Sequence, residues 1–180
     1  MKQNLSPQGR KWVLSVHLAC VATWFGAAVA MVLLIGVRPR TFATDEALVA
    51  YCNCVALIDD FIIIAAAGGT WLTGTILAWK TNWGFFKWYW VALKFISTTA
   101  MVLFGATCLG PWITETASIA RSQGLDALQN PRFQTVSNRS LIWGLAQTVV
   151  LAGIVFVSVF KPWGKIGLRA KVGGKKTGRD

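Results

Sequence analysis

The chain has 180 residues, of which 54% are apolar and only 14% are Asp, Glu, Lys or Arg. A soluble globular domain carries about 25% charged residues, so this composition excludes a disordered chain and an ordinary soluble enzyme. The four cysteines are too few for a disulfide scaffold. The composition instead predicts an all-α integral membrane protein with several membrane-spanning helices.

The net charge of +11 is concentrated at one end of the chain. Seven of the eighteen basic residues lie within residues 161–180, directly after an apolar segment. Such a tail is typical of a topology determinant, and each positive charge near an anionic membrane surface contributes about 1 kcal/mol. We therefore expect residues 165–180 to form a flexible basic tail that contacts anionic lipids, and we expect no nucleic-acid partner.

Four apolar runs are long enough to cross a bilayer, which takes about 20 residues. They cover residues 12–37, 54–79, 88–113 and 141–160. The first run is longer than the apolar core of about 7–15 residues in a signal peptide, so we interpret it as a retained helix. The pattern predicts one domain, residues 1–164, folded as an antiparallel four-helix bundle.

The third connection, residues 114–140, is the longest, and it is polar. Its first part is compatible with an outward extension of the third helix that is interrupted near Gly124. Pro131 should end that extension, because proline lacks the amide that a helix interior requires. Ser137 or Asn138 is then expected to cap the fourth helix.

Basic residues are distributed unequally between the two sides of the predicted bundle. Twelve lie at the termini and in the second connection, against five in the first and third connections. Because cytoplasmic segments carry the excess of Lys and Arg, both termini should be cytoplasmic. The tryptophans agree with two interface levels, the inner one marked by Trp12, Trp79, Trp83, Trp88 and Trp163 and the outer one by Trp112 and Trp143.

Small residues recur along the second span, at Ala66, Thr70, Gly74 and Ala78. In lipid, helices associate through close packing of such residues. The stripe therefore predicts helix packing, within the bundle or against a second copy or another membrane subunit.

Four ionisable side chains lie inside the predicted spans, where their high energetic cost makes them functional candidates. They are His17, Asp59, Asp60 and Lys94. At a rise of about 1.5 Å per residue, His17 lies about 7–8 Å and Lys94 about 9 Å from the inner interface, so the two share a layer. If both point inward, they form with Trp24 an aromatic-walled pocket for an anionic ligand on the cytoplasmic side. His17 would there ligate a metal or move a proton.

Structural interpretations stand beside each functional one. His17 can simply hydrogen-bond a neighbouring helix, and Lys94 can extend its ammonium group to the nearby interface. Asp59 and Asp60 should lie toward the outer face, as a structural ion pair or as charges at a helix start. Asp59 shares a face with the small-residue stripe and is the more inward of the two. The arginines expected on that side are Arg38, Arg40 and Arg139.

A set of short motifs extends over nearly the whole chain. The first helix carries KWVLSVHLACVATWFG, with His17 seven residues before Trp24. The later motifs are LIDD at 57–60, LTG at 72–74, WG at 83–84, WVALK at 90–94 and KPWG at 161–164. This set resembles an uncharacterised family of small bacterial four-helix integral membrane proteins. More distantly it is similar to the HemJ-type protoporphyrinogen oxidase and the CopD-type copper-resistance membrane domain.

The distant resemblance implies a haem b or porphyrin site in a bacterial inner-membrane protein. His17 would correspond to the haem-associated histidine, and Lys94 to the essential lysine of the HemJ type. The chain has a single histidine, so one subunit cannot provide a two-histidine haem site. A homodimer could supply a second imidazole, and Lys94, Met101 or solvent are the other possible axial ligands. For copper the chain is poor, because Met31 and Met101 are isolated.

Three functions compete on these residues. The first is a haem- or porphyrin-binding membrane protein, with His17 and Lys94 as the candidate catalytic groups if it is a redox enzyme. The second is a non-catalytic structural or assembly subunit, since no complete catalytic set is present. The third is a small permease for a metal ion or proton. It ranks last, because apolar residues separate Asp59 and Asp60 on the outer side from His17 and Lys94 on the inner side.

Overall fold

A computed structural model describes residues 5–37, 41–81, 84–164 and 166. The predictions that involve Arg38, Arg40, Trp83 and, apart from Ile166, the basic tail fall outside these described residues.

Four long helices make up the described chain. They are α1 (Pro7–Gly36), α2 (Asp45–Lys80), α3 (Tyr89–Gln129) and α4 (Pro131–Phe160). Each is long and apolar enough to cross a membrane, so the predicted all-helical four-helix architecture is confirmed. The beginning of α1 lies beside the end of α2, where the Leu5 amide donates to the Lys80 carbonyl. The end of α1 lies against the beginning of α2, where the Tyr51 hydroxyl donates to the Leu34 carbonyl.

Both middle helices contain a π-helical segment. In α2 this segment is Ile58–Ile63, which includes Asp59 and Asp60. In α3 it is Gly105–Leu109, directly before Gly110. Because π-helical turns insert an extra residue into the helix, they change which side chains face the interior, and they occur frequently at functional sites.

The helices α2 and α4 both begin before the predicted membrane spans. α2 begins at Asp45, nine residues before the predicted span, because the Thr44 hydroxyl accepts from the Ala47 amide and caps it. α4 begins at Pro131, where the Asn130 side chain accepts from the Arg132 amide. Asparagine followed by proline is a favourable helix start, so the caps expected at Ser137 and Asn138 are not used, and both residues lie inside α4.

The interruption expected near Gly124 is present. The α-helical part of α3 ends at Gln123, and Gly124 has a φ of 55°, a value that glycine adopts without strain. A 3₁₀ segment, Gly124–Gln129, completes α3. The segment that was expected to be a long polar connection is therefore almost entirely helical.

Large exposed apolar side chains divide the described surface into two parts. They occur on Trp12–Val37, on Leu57–Leu103 and on Ile142–Ile166, and they are absent from the described residues between these ranges. Within the part that lacks such side chains, we call residues 45–56, 110–129 and 131–141 the cap. The rest of the bundle has an apolar exterior.

The cap nevertheless has the most completely buried core of the molecule. Leu48, Ala120, Ala127 and Phe133 have no exposed surface. Polar contacts tie its helices together: the Asp45 carboxylate accepts from the Leu125 amide at 2.8 Å, and Arg132 forms an ion pair with Glu115 at 2.6 Å. A polar exterior around an apolar core is the pattern of a water-soluble helical domain.

The apolar-surfaced part has two smaller buried clusters. One contains Trp24, Ala66, Ala67, Met101 and Leu151. The other, which we call the aromatic cluster, contains Ala78, Trp90 and Val91 near the end of α2 and the beginning of α3. Along α2 and α3, the residues between these clusters include Thr70, Thr73 and Lys94, and His17 of α1 packs at the same level. We call His17, Thr70, Thr73 and Lys94 the polar layer.

Candidate functional site

His17 is held by a hydrogen bond across two helices. Its Nδ1 atom lies 2.9 Å from the hydroxyl oxygen of Thr73 on α2. The two helices approach closely here because Gly74 has no side chain, and a Cβ atom at that position would lie 3.3 Å from the His17 ring. The interhelical bond expected as a structural role for His17 is therefore present in the geometry.

The same bond determines which nitrogen of His17 carries the proton. The Thr73 hydroxyl donates its own hydrogen to the Gly69 carbonyl, 2.6 Å away on the same helix. A hydroxyl has one hydrogen, so when that hydrogen is donated to Gly69 the hydroxyl accepts from His17, and Nδ1 is the donor. In the neutral imidazole, Nε2 then has a free lone pair. That lone pair can accept a proton or bind a metal ion.

Lys94 lies beside the Trp90 ring of the aromatic cluster. Its ammonium nitrogen is 5.8 Å from the centroid of the Trp90 ring, and the ammonium of Lys161 is 5.9 Å from the same centroid. Lys94 also interacts electrostatically with His17, so the two residues do lie near each other. Among the described residues no carboxylate pairs with Lys94. Its charge is balanced there only by the electron-rich face of Trp90.

Thr70 provides a further unusual atom in the polar layer. Its side chain is 5% exposed, and its hydroxyl oxygen has no hydrogen-bond partner. A buried hydroxyl without a partner costs about 1–3 kcal/mol, and such groups are rare in native structures. Thr70 is one helical turn from Thr73, so the unpaired hydroxyl lies next to the His17 hydrogen-bond pair.

Trp24 does not line an open pocket with these groups. It is 1% exposed and packs with Ala66, Met101 and Leu151, two helical turns along α1 from His17. A cavity of about 20 Å³ lies instead at the base of the cap, and it is large enough for a water molecule only. Its lining includes Tyr51, Cys52, Thr116, Ser137 and Ser140.

Asp59 and Asp60 differ in their surroundings. Asp59 is 7% exposed and approaches Gly110 of α3, where a Cβ atom would lie 3.4 Å from its carboxylate. Asp60 is exposed. Neither forms the ion pair expected with Arg139, whose guanidinium lies 6.0 Å from the Trp112 ring centroid. The interpretation as helix-start charges is wrong, because both aspartates lie in the middle of α2.

Sequence reasoning missed the roles of Thr70 and Thr73. Both had been noted, Thr70 in the small-residue stripe and Thr73 in the LTG motif, but neither had been given a polar partner. A threonine hydroxyl in a helix commonly donates to the carbonyl four residues before it. The position of Thr73 in the sequence therefore does not show that its hydroxyl also accepts a hydrogen bond from another helix.

The donor atoms in the described part of the chain limit what kind of metal could bind. No group of three or more His, Cys, Asp or Glu side chains lies close enough to hold a metal ion there. A metal bound by His17 would therefore need most of its ligands from a cofactor. No family model, no curated protein and no solved structure matches the chain.

Proposed function

We propose that this chain is a multi-pass protein of the bacterial inner membrane that binds haem or a porphyrin through His17. The observation that carries this proposal is the hydrogen bond from His17 Nδ1 to Thr73, which orients the imidazole and leaves Nε2 free. Metal-binding histidines in proteins almost always donate the other ring N–H to such a partner, because it fixes the tautomer and the ring orientation.

Lys94 is the group in the polar layer that suits a porphyrin carboxylate. Its ammonium has no carboxylate partner in the described structure and lies near His17. A charge-assisted hydrogen bond to a propionate would replace a cation–π contact by a stronger interaction. A bound haem would supply one-electron redox chemistry, whereas this chain supplies the imidazole, the ammonium and an apolar surrounding.

The porphyrin ring has to lie outside the packed clusters. Trp24, Met101 and Leu151 fill the interior next to the polar layer, but His17 itself is only half-buried. The available side of His17 is therefore toward the periphery of the bundle. A second copy of the chain is the natural source of a second imidazole, since each chain has one histidine.

The proposal includes the arrangement in the membrane. We place both termini in the cytoplasm, the four helices antiparallel, and the cap in water on the opposite side. Twelve basic residues lie on the proposed inner side against five on the outer side. The exposed apolar side chains also stop at Leu57, Leu103 and Ile142, as they should at the outer edge of the hydrocarbon.

The second candidate is a structural or assembly subunit without a cofactor. It is favoured by the filled interior around Trp24 and by the contact of Lys94 with Trp90, which gives that lysine a role of its own. A permease is less well supported. Along the bundle, the cluster of Ala66, Ala67 and Trp24 separates Asp59 from His17, so these groups do not form a continuous polar path.

An absorption spectrum of protein purified in mild detergent from haem-supplemented cells tests the proposal. We expect a Soret band that His17→Ala abolishes and Lys94→Ala weakens. Thr73→Val should retain the haem but shift the reduced-state bands or the midpoint potential, because the ligand loses its hydrogen-bond acceptor. Thr75→Val is the matched control, since Thr75 bonds only its own helix at the Trp71 carbonyl.

A colourless wild-type protein at full haem supply would contradict the proposal. So would a Soret band of equal intensity in wild type and His17→Ala. Either result would leave the structural subunit as the better interpretation, and crosslinking in native membranes would then identify what the bundle packs against.

A further inference from the structure

Asp59 is a second buried ionisable group, remote from the polar layer. It lies eleven residues before Thr70 on α2, about 16 Å along the helix at a rise of about 1.5 Å per residue. Its side chain is 7% exposed, and within the described residues it has neither a hydrogen-bond donor nor a cation as a partner. Neither the haem proposal nor the packing of the small-residue stripe uses this carboxyl group.

The local backbone brings Asp59 into contact with α3. The π-helical segment Ile58–Ile63 places its side chain toward Gly110, which directly follows the second π-helical segment. A Cβ atom at position 110 would lie 3.4 Å from Asp59 Oδ2 and 3.4 Å from the Gly105 carbonyl oxygen. The carboxyl group and this carbonyl therefore face the same small space, which a larger side chain at position 110 would restrict.

Among the described residues, no charged group around Asp59 offsets a negative charge. On α2 the nearest ionisable group is Asp60, which repels a second carboxylate. On α3 the ionisable residues closest in sequence to Gly110 are Cys108 and Glu115, and Glu115 is paired with Arg132. On α1, residues 18–37 contain no charged side chain. On α4, Arg139 is occupied at the Trp112 ring.

An ionised carboxylate buried without a partner is very unfavourable, whereas a carboxylic acid is a small neutral polar group. We infer that Asp59 is a proton-binding site at the junction between the cap and the apolar-surfaced bundle. The ligand is a proton, taken up from the aqueous side of the cap.

The inference predicts that Asp59 in the folded protein is protonated at mildly acidic pH, where exposed carboxylates are ionised, and the spectra are therefore recorded at such a pH. Infrared difference spectra between the wild type and Asp59→Asn should show the C=O stretch of a carboxylic acid in the wild type alone. Asp60→Asn is the matched control and should keep that band. His17→Ala should also keep it, so the result is independent of whether the protein binds haem.

Protonation of Asp59 can also be tested by chemical labelling and by the stability of a variant. Dicyclohexylcarbodiimide reacts with protonated carboxyl groups in apolar surroundings, so it should label Asp59. The labelling should become slower as the pH rises. The variant Asp59→Asn should not be labelled at this position. Because asparagine resembles the neutral acid in size and charge, Asp59→Asn should unfold in detergent at the same denaturant concentration as the wild type.

Absence of the carboxylic acid band in the folded wild type at mildly acidic pH would overturn the inference, as would a band that Asp59→Asn leaves unchanged. A marked loss of stability in Asp59→Asn would overturn it as well, because it would show that the charged carboxylate stabilises the fold.

Discussion

The two threonines of the polar layer differ in the hydrogen bonding of their hydroxyl groups. Thr73 accepts from His17 and donates to Gly69, whereas the hydroxyl of Thr70 is buried without a partner. Replacement by valine preserves the shape of either side chain and removes only its hydrogen-bonding capacity. Comparison of the two variants therefore separates the contribution of a satisfied hydroxyl from the penalty of an unsatisfied one.

We expect Thr73→Val to lower the free energy of unfolding by about 0.5–2 kcal/mol, because His17 Nδ1–H loses its acceptor in a membrane environment. Thr70→Val should leave stability unchanged or raise it. Unfolding in SDS followed by circular dichroism measures both. If Thr70→Val were the more destabilising variant, Thr70 would have a partner that the hydrogen-bond geometry does not show.

At the scale of single residues, the sequence predicts which ionisable side chains lie inside the helices, but it does not predict their hydrogen-bond partners. His17 and Lys94 could be placed in one layer from the helical rise alone, and the structure brings them near each other. The tautomer of His17 could not be predicted, because it depends on a hydroxyl from another helix. The burial of Asp59 rather than Asp60 could be predicted from the face that Asp59 shares with the small-residue stripe, and the structure agrees.

At the scale of whole helices, α1 and α2 pack closely through glycines opposite larger side chains. A Cβ atom at Gly69 would lie 2.7 Å from the Cys20 sulfur, a separation that requires a displacement. Gly68, the adjacent residue, has nothing within 4 Å of the equivalent position. The two glycines are thus a matched pair on one helix, one at a close contact and one with free space.

We expect Gly69→Ala to lower the free energy of unfolding by about 1–3 kcal/mol through overpacking. Gly68→Ala should be neutral or should stabilise the protein by up to about 1 kcal/mol, because alanine is the better helix former. The double variant Cys20→Ala with Gly69→Ala should recover much of the loss, since the clashing sulfur is absent. Equal stability of the two single variants in SDS unfolding would contradict close packing of α1 on α2.

Helix number could be predicted from apolar runs, but helix length could not. The runs that cross a bilayer are set by hydrocarbon thickness, so they show only the apolar part of each helix. α2 and α3 continue into the cap, where small residues such as Ala117 and Ala120 replace long apolar stretches. The beginning of α4 was not predicted because Asn130–Pro131 lies ten residues before the apolar run, inside sequence that has no long apolar stretch.

The whole molecule combines an apolar surface, which suits lipid, with the polar surface of the cap, which suits water. From Leu57 to Trp79, α2 spans about 33 Å at a rise of about 1.5 Å per residue, close to the hydrocarbon thickness of about 30 Å. From Ile142 to Phe160, α4 spans about 27 Å on the same basis. The cap begins where both ranges end and carries its own buried core. Its polar exterior and the distribution of basic residues both support the proposed orientation.

Labelling of single cysteines from outside the cell tests this orientation. The four native cysteines, Cys20, Cys52, Cys54 and Cys108, are first replaced by alanine or serine. Ser122→Cys on the exposed surface of the cap should react with a membrane-impermeant maleimide in intact spheroplasts. Gln8→Cys, which is exposed in the first turn of α1, should react only after the membrane is opened.

Leu72→Cys is the control for the membrane-embedded surface. Leu72 is 57% exposed in the isolated bundle, so a thiol there is reachable in water but not in lipid. It should remain unlabelled in membranes before and after opening, and it should become reactive in SDS. Reaction of Leu72→Cys in intact membranes would show that this apolar surface contacts water or lines a channel. Labelling of Gln8→Cys from outside would instead show that the orientation is the reverse of the one proposed. The basic tail would then not be the cytoplasmic topology determinant.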